Sequence, residues 1–409
     1  MSSFVIVGSG NAGLGAALEL RRQGFSGRVL LLGAEPHLPY ERPPLSKAHL
    51  AADGLPMPLL QSADLLAAQR IELRTGCRVE ALDTTAARVH FADGGSEPYD
   101  QLLLATGGRA RTLDPLAGGQ HALTLRSYDD ALALRARLAA PPGHLVVVGA
   151  GVIGLEVAAT ARGLGWRVTV LEGADRPMAR MLTPELSGFM ASLHAAAGVE
   201  LRFGVALQAL EPTADGRLGV QSAGGALDAD LVVAGIGMQP DTALAAAAGL
   251  ATDGGIVVDE FGRASAPAVH AAGDAASLWH PRFNRRLRLE SWQHAARHGA
   301  ATARTMLGRS EAYDEVPWSW TDQYDLNLQV LGLPAEADRS LLRGSPADRK
   351  FVALHLKKRR LVGATLVNLG REMRPCKALI ECGVELDLVR LADPAVSLRE
   401  YAAHMAATA

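Results

Sequence analysis

Residues 4–17, FVIVGSGNAGLGAA, contain the pattern that decides the fold of this chain. The first four form an apolar run that predicts a buried parallel strand, and the apolar spacing after Gly13 predicts a helix. Between them lies a GxGxxG turn, in which Gly8 permits the sharp bend, Gly10 lets backbone approach a phosphate and Gly13 lets helix and strand pack closely. The unpaired N–H groups at the helix N-terminus would then hold the pyrophosphate of a dinucleotide.

Length and composition predict several domains and no general attraction to polyanions. The chain has 409 residues, too many for one core, 48% of them are hydrophobic, and the net charge is −2. We therefore expect no nucleic-acid partner. No run of about 18 apolar residues occurs, so we also expect no membrane span, and the N-terminus does not resemble a signal peptide. The three cysteines form no CxxC pair, which predicts reduced thiols, no metal site and a cytoplasmic location.

The opening pattern occurs a second time in the middle of the chain. Residues 145–148 predict a strand that enters a second GxGxxG turn, GAGVIG, at residues 149–154. The next predicted strand ends in Glu172, about 20 residues beyond Gly149, the spacing expected of an acid that binds a ribose 2′-hydroxyl. A carboxylate at this place would repel a 2′-phosphate, so the sequence favours NADH over NADPH.

Two features beyond Glu172 belong to the same predicted unit. Arg176 and Arg180 follow it closely and are candidates for the pyrophosphate or the adenine side. Residues 230–234 predict the returning strand, and a GxGxxP turn follows, in which Gly237 would let nicotinamide approach the backbone.

Polar residues after the first glycine turn are further candidates for cofactor contacts. Glu35 follows the second predicted strand, displaced by two residues, and either binds a ribose or is a surface turn residue. The proline-rich residues 39–47 form a stiff segment that leads into a helix and presents Arg42 and Lys47. We expect both cations to meet phosphate or flavin.

The first domain continues through a predicted strand at residues 99–106, which stops at Gly107. Cys77 and Val79 are predicted to lie in a strand-like segment before it, and Arg126 at a helix entry after it. The strand at residues 99–106 is expected to close the first half of the first nucleotide-binding domain.

A short predicted strand at residues 269–272 ends in Gly273 and Asp274 and brings the chain back to the first domain. Asp274 either caps a helix or accepts a hydrogen bond from a ribityl hydroxyl. In the helix that follows, Trp292 covers a flavin face or fills the core, and His294 and His298 are expected to be structural or solvent-exposed.

The last region has a different pattern, with strands first and helices from Arg371 onward, which predicts a small α+β domain. Its basic tip, residues 357–360 (KKRR), is either a solvated turn or a contact for an acidic protein. Trp318 and Trp320 are candidates for the same partner surface.

The order of PPLSK, ATGG, GxGxxGLE, AGIG, GD, ESW and PWxWxDQ resembles the FAD-dependent ferredoxin reductases that serve Rieske dioxygenases and haem-thiolate monooxygenases. The resemblance covers almost the whole chain and implies an α/β fold with two Rossmann-like dinucleotide-binding domains, as in glutathione reductase, plus a C-terminal α+β domain. It implies an FAD-binding domain of residues 1–110 and 242–316, an NADH-binding domain of residues 111–241 and a C-terminal interface domain of residues 317–409. The implied partner is a small acidic [2Fe-2S] ferredoxin that feeds an oxygenase.

The motifs and the resemblance together predict the site residues. Those predicted to bind FAD are Gly8, Gly10, Asn11, Ala12, Gly13, Ala34, Glu35, Arg42, Lys47, Val79, Ala105, Thr106, Gly107, Arg126, Gly273, Asp274 and Trp292. Those predicted to bind NADH are Gly149, Gly151, Val152, Ile153, Gly154, Glu156, Glu172, Arg180 and Gly237. By resemblance, Lys47 and Glu156 form an ion pair that tunes the flavin electrostatically, and we predict this pair to be the catalytic one.

The cofactors account for the predicted chemistry. NADH delivers two electrons as hydride, a ferredoxin accepts one at a time, and flavin bridges the two because it is stable at three oxidation levels. One alternative is a flavin disulfide reductase or NADH oxidase, which needs a thiol where Leu45, Ser46 and Lys47 stand. Another is a non-enzymatic redox-sensing flavoprotein, for which a basic nucleic-acid surface would be expected.

Overall fold

A computed structural model describes residues 2–114, 116, 118–309 and 311–408. In chain order, its strands are β1 Ser3–Val7, β2 Arg28–Leu32, β3 Ile71–Arg74, β4 Val79–Asp83, β5 Arg88–Phe91, β6 Ser96–Pro98, β7 Gln101–Leu104, β8 Gly108–Ala110, β9 Leu123–Thr124, β10 His144–Val148, β11 Arg167–Glu172, β12 Val199–Phe203, β13 Leu207–Pro212, β14 Leu218–Ser222, β15 Gly225–Ala229, β16 Leu231–Ala234, β17 Met238–Pro240, β18 Ile256–Val258, β19 Val269–Ala271, β20 Ala276–His280, β21 Arg285–Leu287, β22 Trp318–Gln323, β23 Leu326–Gly332, β24 Arg339–Ser345, β25 Lys350–Lys357 and β26 Arg360–Val367. Its α-helices are α1 Asn11–Arg22, α2 Ala48–Ala51, α3 Ala63–Ala68, α4 Tyr128–Leu138, α5 Val152–Gly163, α6 Pro184–Ala196, α7 Ala243–Ala247, α8 Trp292–Met306, α9 Met373–Cys382, α10 Leu388–Ala392 and α11 Leu398–Thr408.

The chain divides into two compact units, each built from three segments. The first unit comprises Met1–Arg42, Pro56–Arg109 and Met238–Glu315, and the second comprises Pro43–Leu55, Ala110–Gly237 and Val316–Ala409. The three-domain division drawn from the sequence is finer than this, and its boundaries stay a prediction.

The first unit is organised around a parallel sheet of order β3-β2-β1-β7-β19. Phe4, Val5, Ile6 and Val7 of the central strand β1 are all buried, as expected of a parallel sheet covered on both faces. Pairing of β19 with β7 confirms that the chain returns to the first sheet after the second glycine turn. Strand β7 is shorter than predicted and ends before Ala105; beyond it, Gly107 turns the chain with a φ of +64°.

Helices α1 and α8 of the first unit pack closely because glycines lie at their contact. A Cβ atom on Gly299 of α8 would lie 2.1 Å from the carbonyl oxygen of Ala12, and one on Gly15 of α1 would lie 2.8 Å from that of Ala296. Neither position can carry a side chain without separating the helices. This contact brings the beginning of the chain against residues nearly three hundred positions later.

The second unit contains a parallel sheet of order β12-β11-β10-β16-β9, whose first four strands repeat the order β3-β2-β1-β7 of the first sheet. The fifth strand, β9, precedes the others in the chain, whereas β19 follows them. The same unit contains the antiparallel sheet β22-β23-β26-β25-β24. Helices α9 and α11 cover this sheet with Cys376, Leu379 and Tyr401, which share a buried apolar cluster with Leu354 and Leu366. The predicted α/β class with a C-terminal α+β region is confirmed.

Some local predictions were wrong. Met238–Pro240, predicted to be a turn, is a strand, because Gly108 has no side chain and lets backbone approach the carbonyl of Gln239. Cys77 lies just before β4 rather than in a strand. Strand β24 was not predicted. Among the described residues, no helix combines the length and the apolar character that a membrane crossing would need.

Candidate functional site

The first glycine turn leaves room in front of helix α1. Gly8 has a φ of +111°, and a Cβ there would lie 2.1 Å from the carbonyl oxygen of Ala105, so this position needs glycine. A Cβ on Gly13 would lie 1.8 Å from the carbonyl oxygen of Gly8, whereas one on Gly10 would meet nothing within 4 Å. Gly8 and Gly13 therefore fix the turn, and Gly10 faces open space.

The N-terminus of α1, which adjoins this open space, suits an anion. Gly10 is the N-cap and offers no side-chain cap, and the first turn of the helix carries no acidic residue. The first N–H groups of a helix lack intrahelical acceptors and carry the positive end of its dipole. The residues present thus fit the pyrophosphate of FAD at this place.

Distant predicted FAD residues meet around this turn. The side-chain amide of Asn11 donates to the carbonyl oxygen of Trp292 at 2.5 Å. Gly273 lies so close to Ala12 that a Cβ on it would be 2.8 Å from the Cβ of Ala12. Asp274 is in a short 3-10 helix whose N-cap is Ala272, so it does not act as the N-cap and its alternative role at a ribityl hydroxyl is retained.

Glu35 and Arg42 lie together in the first unit. Arg42 Nη2 donates to Glu35 Oε1 at 2.6 Å, and the Tyr40 hydroxyl donates to Glu35 Oε2 at 2.5 Å. Burial alone would raise the pKa of Glu35, but the charge of Arg42 and these two hydrogen bonds outweigh it and lower the pKa. Glu35 is therefore an anion that orients Arg42. Tyr40 was not predicted from the sequence, although it lies in the proline-rich segment of residues 39–47.

The other predicted FAD residues are more scattered. Ala34 is exposed, Ala105 is buried beside Gly8, and the Thr106 hydroxyl donates to the carbonyl oxygen of Asp241 at 2.6 Å. Val79 packs against the apolar core of the first unit from β4. Arg126 belongs to the second unit, where its N–H donates to Asp130 just before α4.

The second glycine turn has the geometry of the first. Gly149 has a φ of +103°, and a Cβ there would lie 2.5 Å from the carbonyl oxygen of Gly235. One on Gly154 would lie 2.0 Å from the carbonyl oxygen of Gly149, whereas one on Gly151 would meet only Gly235, at 3.8 Å. Val152 begins α5, whose first turn again carries no acid. This turn also fits a dinucleotide pyrophosphate.

Residues around the second turn complete a nucleotide cradle. Glu172, at the end of β11, accepts the N–H of Ala150 at 2.6 Å and that of Ala174 at 2.8 Å, which fixes its carboxylate beside the glycine turn. Gly237 has a φ of +100°, and Nη2 of the exposed Arg180 lies 3.4 Å from where its Cβ would be. Ile153 is 41% exposed at the start of α5, beside the second glycine turn.

Lys47 and Glu156 form the predicted ion pair within the second unit. Lys47 Nζ lies 2.9 Å from Glu156 Oε1 and also donates to the carbonyl oxygen of Pro43 at 3.0 Å. Glu156 is only 2% exposed, and its carboxylate accepts two further hydrogen bonds, from the hydroxyls of Ser46 and Thr321. Thr321 was missed: it is one of the variable positions of the PWxWxDQ motif, and no sequence signal connects it with Glu156.

The histidines of α8 are buried and structural. The Nδ1 atom of His298 accepts the N–H of Gly273 at 3.2 Å, and Nδ1 of His294 lies 3.0 Å from the Tyr313 hydroxyl. Burial lowers the pKa of His298 to about 3 and that of His294 well below its usual range. The alternative that they are solvent-exposed was wrong. Within the part of the chain that the structure describes, no group of three or more potential ligands could hold a metal ion.

Neither Cys77 nor Cys376 is in a setting that activates a thiol. All three cysteines are free, Cys376 is fully buried, and Cys77 and Cys382 are partly buried. Burial raises the pKa of Cys77 and raises that of Cys376 to about 12, so both stay protonated near neutral pH.

Known proteins resemble this chain over nearly its whole length. Residues 2–299 match the family described as pyridine nucleotide-disulphide oxidoreductase, and residues 318–402 match the reductase C-terminal family. The chain is 42% identical to the anthranilate 1,2-dioxygenase system ferredoxin–NAD(+) reductase component of Burkholderia cepacia, over 97% of this chain and 98% of that protein. It is 38% identical to putidaredoxin reductase of Pseudomonas putida, over 98% and 97% of the two chains. The crystal structure of the covalent putidaredoxin reductase–putidaredoxin complex superposes with a TM-score of 0.93 and 37% identity, covering 99% of both chains.

Proposed function

Because this chain belongs to the pyridine nucleotide-disulphide oxidoreductase family, we propose that it is an FAD-dependent NADH:ferredoxin oxidoreductase. It takes electrons from NADH and passes them through FAD, one at a time, to a [2Fe-2S] ferredoxin that feeds an oxygenase. Relatives named as ferredoxin reductases of oxygenase systems and the likeness to a reductase–ferredoxin complex support this assignment.

The observation that carries the proposal is the repeated cradle, by which we mean a glycine turn followed by the N-terminus of a helix. Each of two parallel sheets, which share the order of four of their five strands, leads into a glycine turn, and in each turn the middle glycine, Gly10 or Gly151, faces space that a side chain would occupy. Two such cradles in one chain suit two dinucleotides, one resident and one exchanging. FAD supplies the step between hydride acceptance and single-electron release when it is bound.

The chain's own residues bind and orient the two cofactors. In the first cradle the N–H groups of α1 would hold the FAD pyrophosphate, Asp274 would accept from a ribityl hydroxyl and Trp292 would lie against the ring. In the second, the N-terminus of α5 would hold the NADH pyrophosphate and Glu172 would accept from the ribose. A fixed carboxylate at Glu172 disfavours a 2′-phosphate, so NADH is the preferred donor.

Lys47 and Glu156 are the proposed catalytic pair. A buried carboxylate that holds an ammonium in one position sets the local electrostatic potential without exchanging a proton. No general acid or nucleophile is needed, since hydride and electrons move between the cofactors themselves.

The alternatives each lack a feature that they require. A disulfide reductase needs a reactive thiolate, and neither Cys77 nor Cys376 is in a setting that would deprotonate it. A nucleic-acid-binding redox sensor would be expected to carry a basic surface, and the net charge is −2.

The proposed ferredoxin surface lies on the C-terminal sheet. Residues 357–360 form an exposed basic hairpin tip, and Trp318 and Trp320 stack with ring centroids 5.1 Å apart. A basic tip would attract an acidic ferredoxin and speed its encounter. The same proposal includes a cytoplasmic location, which three free cysteines favour.

Anaerobic stopped flow tests the function. NADH is expected to bleach the flavin absorbance of the purified holoprotein, and an oxidised [2Fe-2S] ferredoxin should restore it while itself becoming reduced. Bleaching followed by reoxidation with a disulfide or oxygen, but with no ferredoxin, would assign the protein to the disulfide reductase class. Lys358→Glu in the basic tip should slow ferredoxin reduction at low salt only, with Lys350→Glu, on the exposed start of β25, as the matched control.

A further inference from the structure

Glu156 is a buried anion that depends on donors from two distant parts of the chain. Ser46 and Lys47 reach it from the Pro43–Leu55 segment, and Thr321 Oγ1 reaches Oε1 from β22 at 2.5 Å. A carboxylate that is 2% exposed is stable only when its oxygens accept such hydrogen bonds. Thr321 therefore shares Oε1 with Lys47.

The Thr321 hydroxyl is the inner end of a longer series of hydrogen bonds. Gln323 Nε2 donates to Thr321 Oγ1 at 3.0 Å, and Gln323 Oε1 lies 2.7 Å from His194 Nε2. His194 Nδ1 in turn lies 3.2 Å from the hydroxyl of Tyr324. Thr321, Gln323 and His194 are each no more than 1% exposed.

The chemistry of these groups fixes the direction of every bond. A carboxylate only accepts, so Thr321 uses its single proton on Glu156 and must accept from Gln323. The amide oxygen of Gln323 then requires a proton on His194 Nε2, which leaves Nδ1 to accept from Tyr324. Burial lowers the pKa of His194, opposed by its bond to Gln323, so the neutral tautomer that this order requires is favoured. All the donors point toward Glu156, an arrangement in which each bond polarises the next.

Tyr324, the outer member of this series of hydrogen bonds, lies at the surface in a strained turn. Tyr324 is 40% exposed and follows β22 in the two-residue turn to β23. Its φ of +56° is left-handed, which is uncommon for a residue with a large side chain. Its ring packs edge-on against His194, with centroids 5.1 Å apart, so the turn aims the hydroxyl inward.

We propose that Tyr324, His194, Gln323 and Thr321 form a positioning relay that fixes the Glu156 carboxylate and, through it, the Lys47 ammonium. Through this relay, the first hairpin of the C-terminal sheet helps to fix the geometry of the Lys47–Glu156 pair. The consequence for hydride transfer rests on the proposed function, whereas the positioning of Lys47 does not.

The first test is amide hydrogen exchange on the holoprotein. The amides of Leu50 and Ala51 bond to the carbonyl of Lys47, so they report how firmly this segment is held. Thr321→Val removes the donor at nearly constant shape, and exchange at these amides should rise about tenfold, while Thr321→Ser should restore it. Thr305→Val is the control, because the Thr305 hydroxyl is buried and lacks a partner among the described residues.

The second test separates positioning from binding by single-turnover flavin reduction. Thr321→Val should slow the limiting rate at saturating NADH about tenfold, with the NADH dissociation constant within twofold. Thr321→Ser should return the rate, and Tyr324→Phe should show a smaller loss of the same kind.

The two measurements fail in different ways. If Thr321→Val and Thr321→Ser give the same exchange at Leu50 and Ala51, the relay is refuted, whatever the protein reduces. If NADH does not reduce the wild-type flavin at all, the proposed function is refuted, and the exchange comparison still decides the relay. A loss in Thr321→Val matched by Thr305→Val would also refute it, since both would then report a generic effect of the substitution.

Discussion

Gly151→Ala is expected to weaken NADH binding without unfolding the protein. Gly151 has φ −75° and ψ −177°, an extended conformation that alanine adopts freely. A Cβ there would meet only the carbonyl oxygen of Gly235, at the ordinary contact distance of 3.8 Å. The added methyl group therefore enters empty space, and that space is where the NADH pyrophosphate is proposed to lie.

The size of the effect follows from the bonds that the methyl group would displace. The N–H groups at the start of α5 would bond an ionised phosphate, and hydrogen bonds to charged groups contribute about 1.5–3 kcal/mol each. Loss of one such bond raises the dissociation constant about 10-fold to 150-fold. The folded state should change by less than about 1 kcal/mol, since a lower entropy of the unfolded chain offsets a slightly poorer N-cap.

The assay is the dependence of the flavin-reduction rate on NADH concentration, with the flavin content and thermal midpoint of each variant measured in parallel. Gly163→Ala is the matched control: it lies at the end of the same helix, and a Cβ there would also meet nothing within 4 Å. It should leave the NADH dissociation constant unchanged and stabilise α5 by up to about 1 kcal/mol. If Gly151→Ala stays folded and binds NADH within twofold of the wild type, the reasoning about this cradle is wrong.

Three further predictions concern the cradles and the histidines. Gly13→Ala should lower the thermal midpoint and the FAD content together, at a cost of about 3 kcal/mol or more, because its Cβ would lie 1.8 Å from the carbonyl oxygen of Gly8; absorbance and calorimetry check this. Glu172→Ala should raise the preference for NADPH relative to NADH at least about tenfold, measured as the ratio of kcat/KM values, because the charge opposing a 2′-phosphate is removed. His298 and His270 have folded-state pKa values of about 3 and about 4, below the unfolded value of 6.5, so the stability that they contribute is complete above pH 6.5 and falls as the pH drops toward those values. By pH 4.5 the free energy of unfolding should have fallen by on the order of 2–3 kcal/mol for each histidine. Denaturant midpoints at pH 7 and pH 4.5 measure this loss, and His298→Gln should make stability depend less steeply on pH.

The parts of the fold that sequence predicts are those fixed by local physics. Strands β1 and β10 were predicted because each is a short apolar run that ends at a glycine, and the glycines were assigned because tight turns have few alternatives. Strand β24 was missed because its sequence, RSLLRGS, does not alternate, and it lies at the edge of its sheet, where a buried face is not required.

The site residues fall into the same two groups, those fixed by local geometry and those fixed by contacts between distant elements. Gly8 and Gly13 could be predicted because backbone geometry demands them, and Gly10 because a side chain there would fill the space proposed for the phosphates. The partner of a polar side chain, by contrast, depends on where distant elements meet. Tyr40 fixes Glu35 from only five positions away, yet no periodicity marks that contact. Thr321 reaches Glu156 from 165 positions away, and only the packing of β22 against α5 brings the two together.

The cradles and the ion pair differ in which atoms of the chain build them. Each cradle is made almost entirely of backbone, so a few glycines suffice, and both turns have the same form. The Lys47–Glu156 pair is made of side chains in a buried setting, where an ammonium and a carboxylate hold one geometry only if neighbouring donors saturate the carboxylate. Those donors come from the proline-braced segment on one side and from the C-terminal sheet on the other. A hairpin that lies outside both glycine turns is thereby built into the electrostatics of the pair, so a change at the Tyr324 hydroxyl should reach Lys47 with little effect on the affinity for NADH.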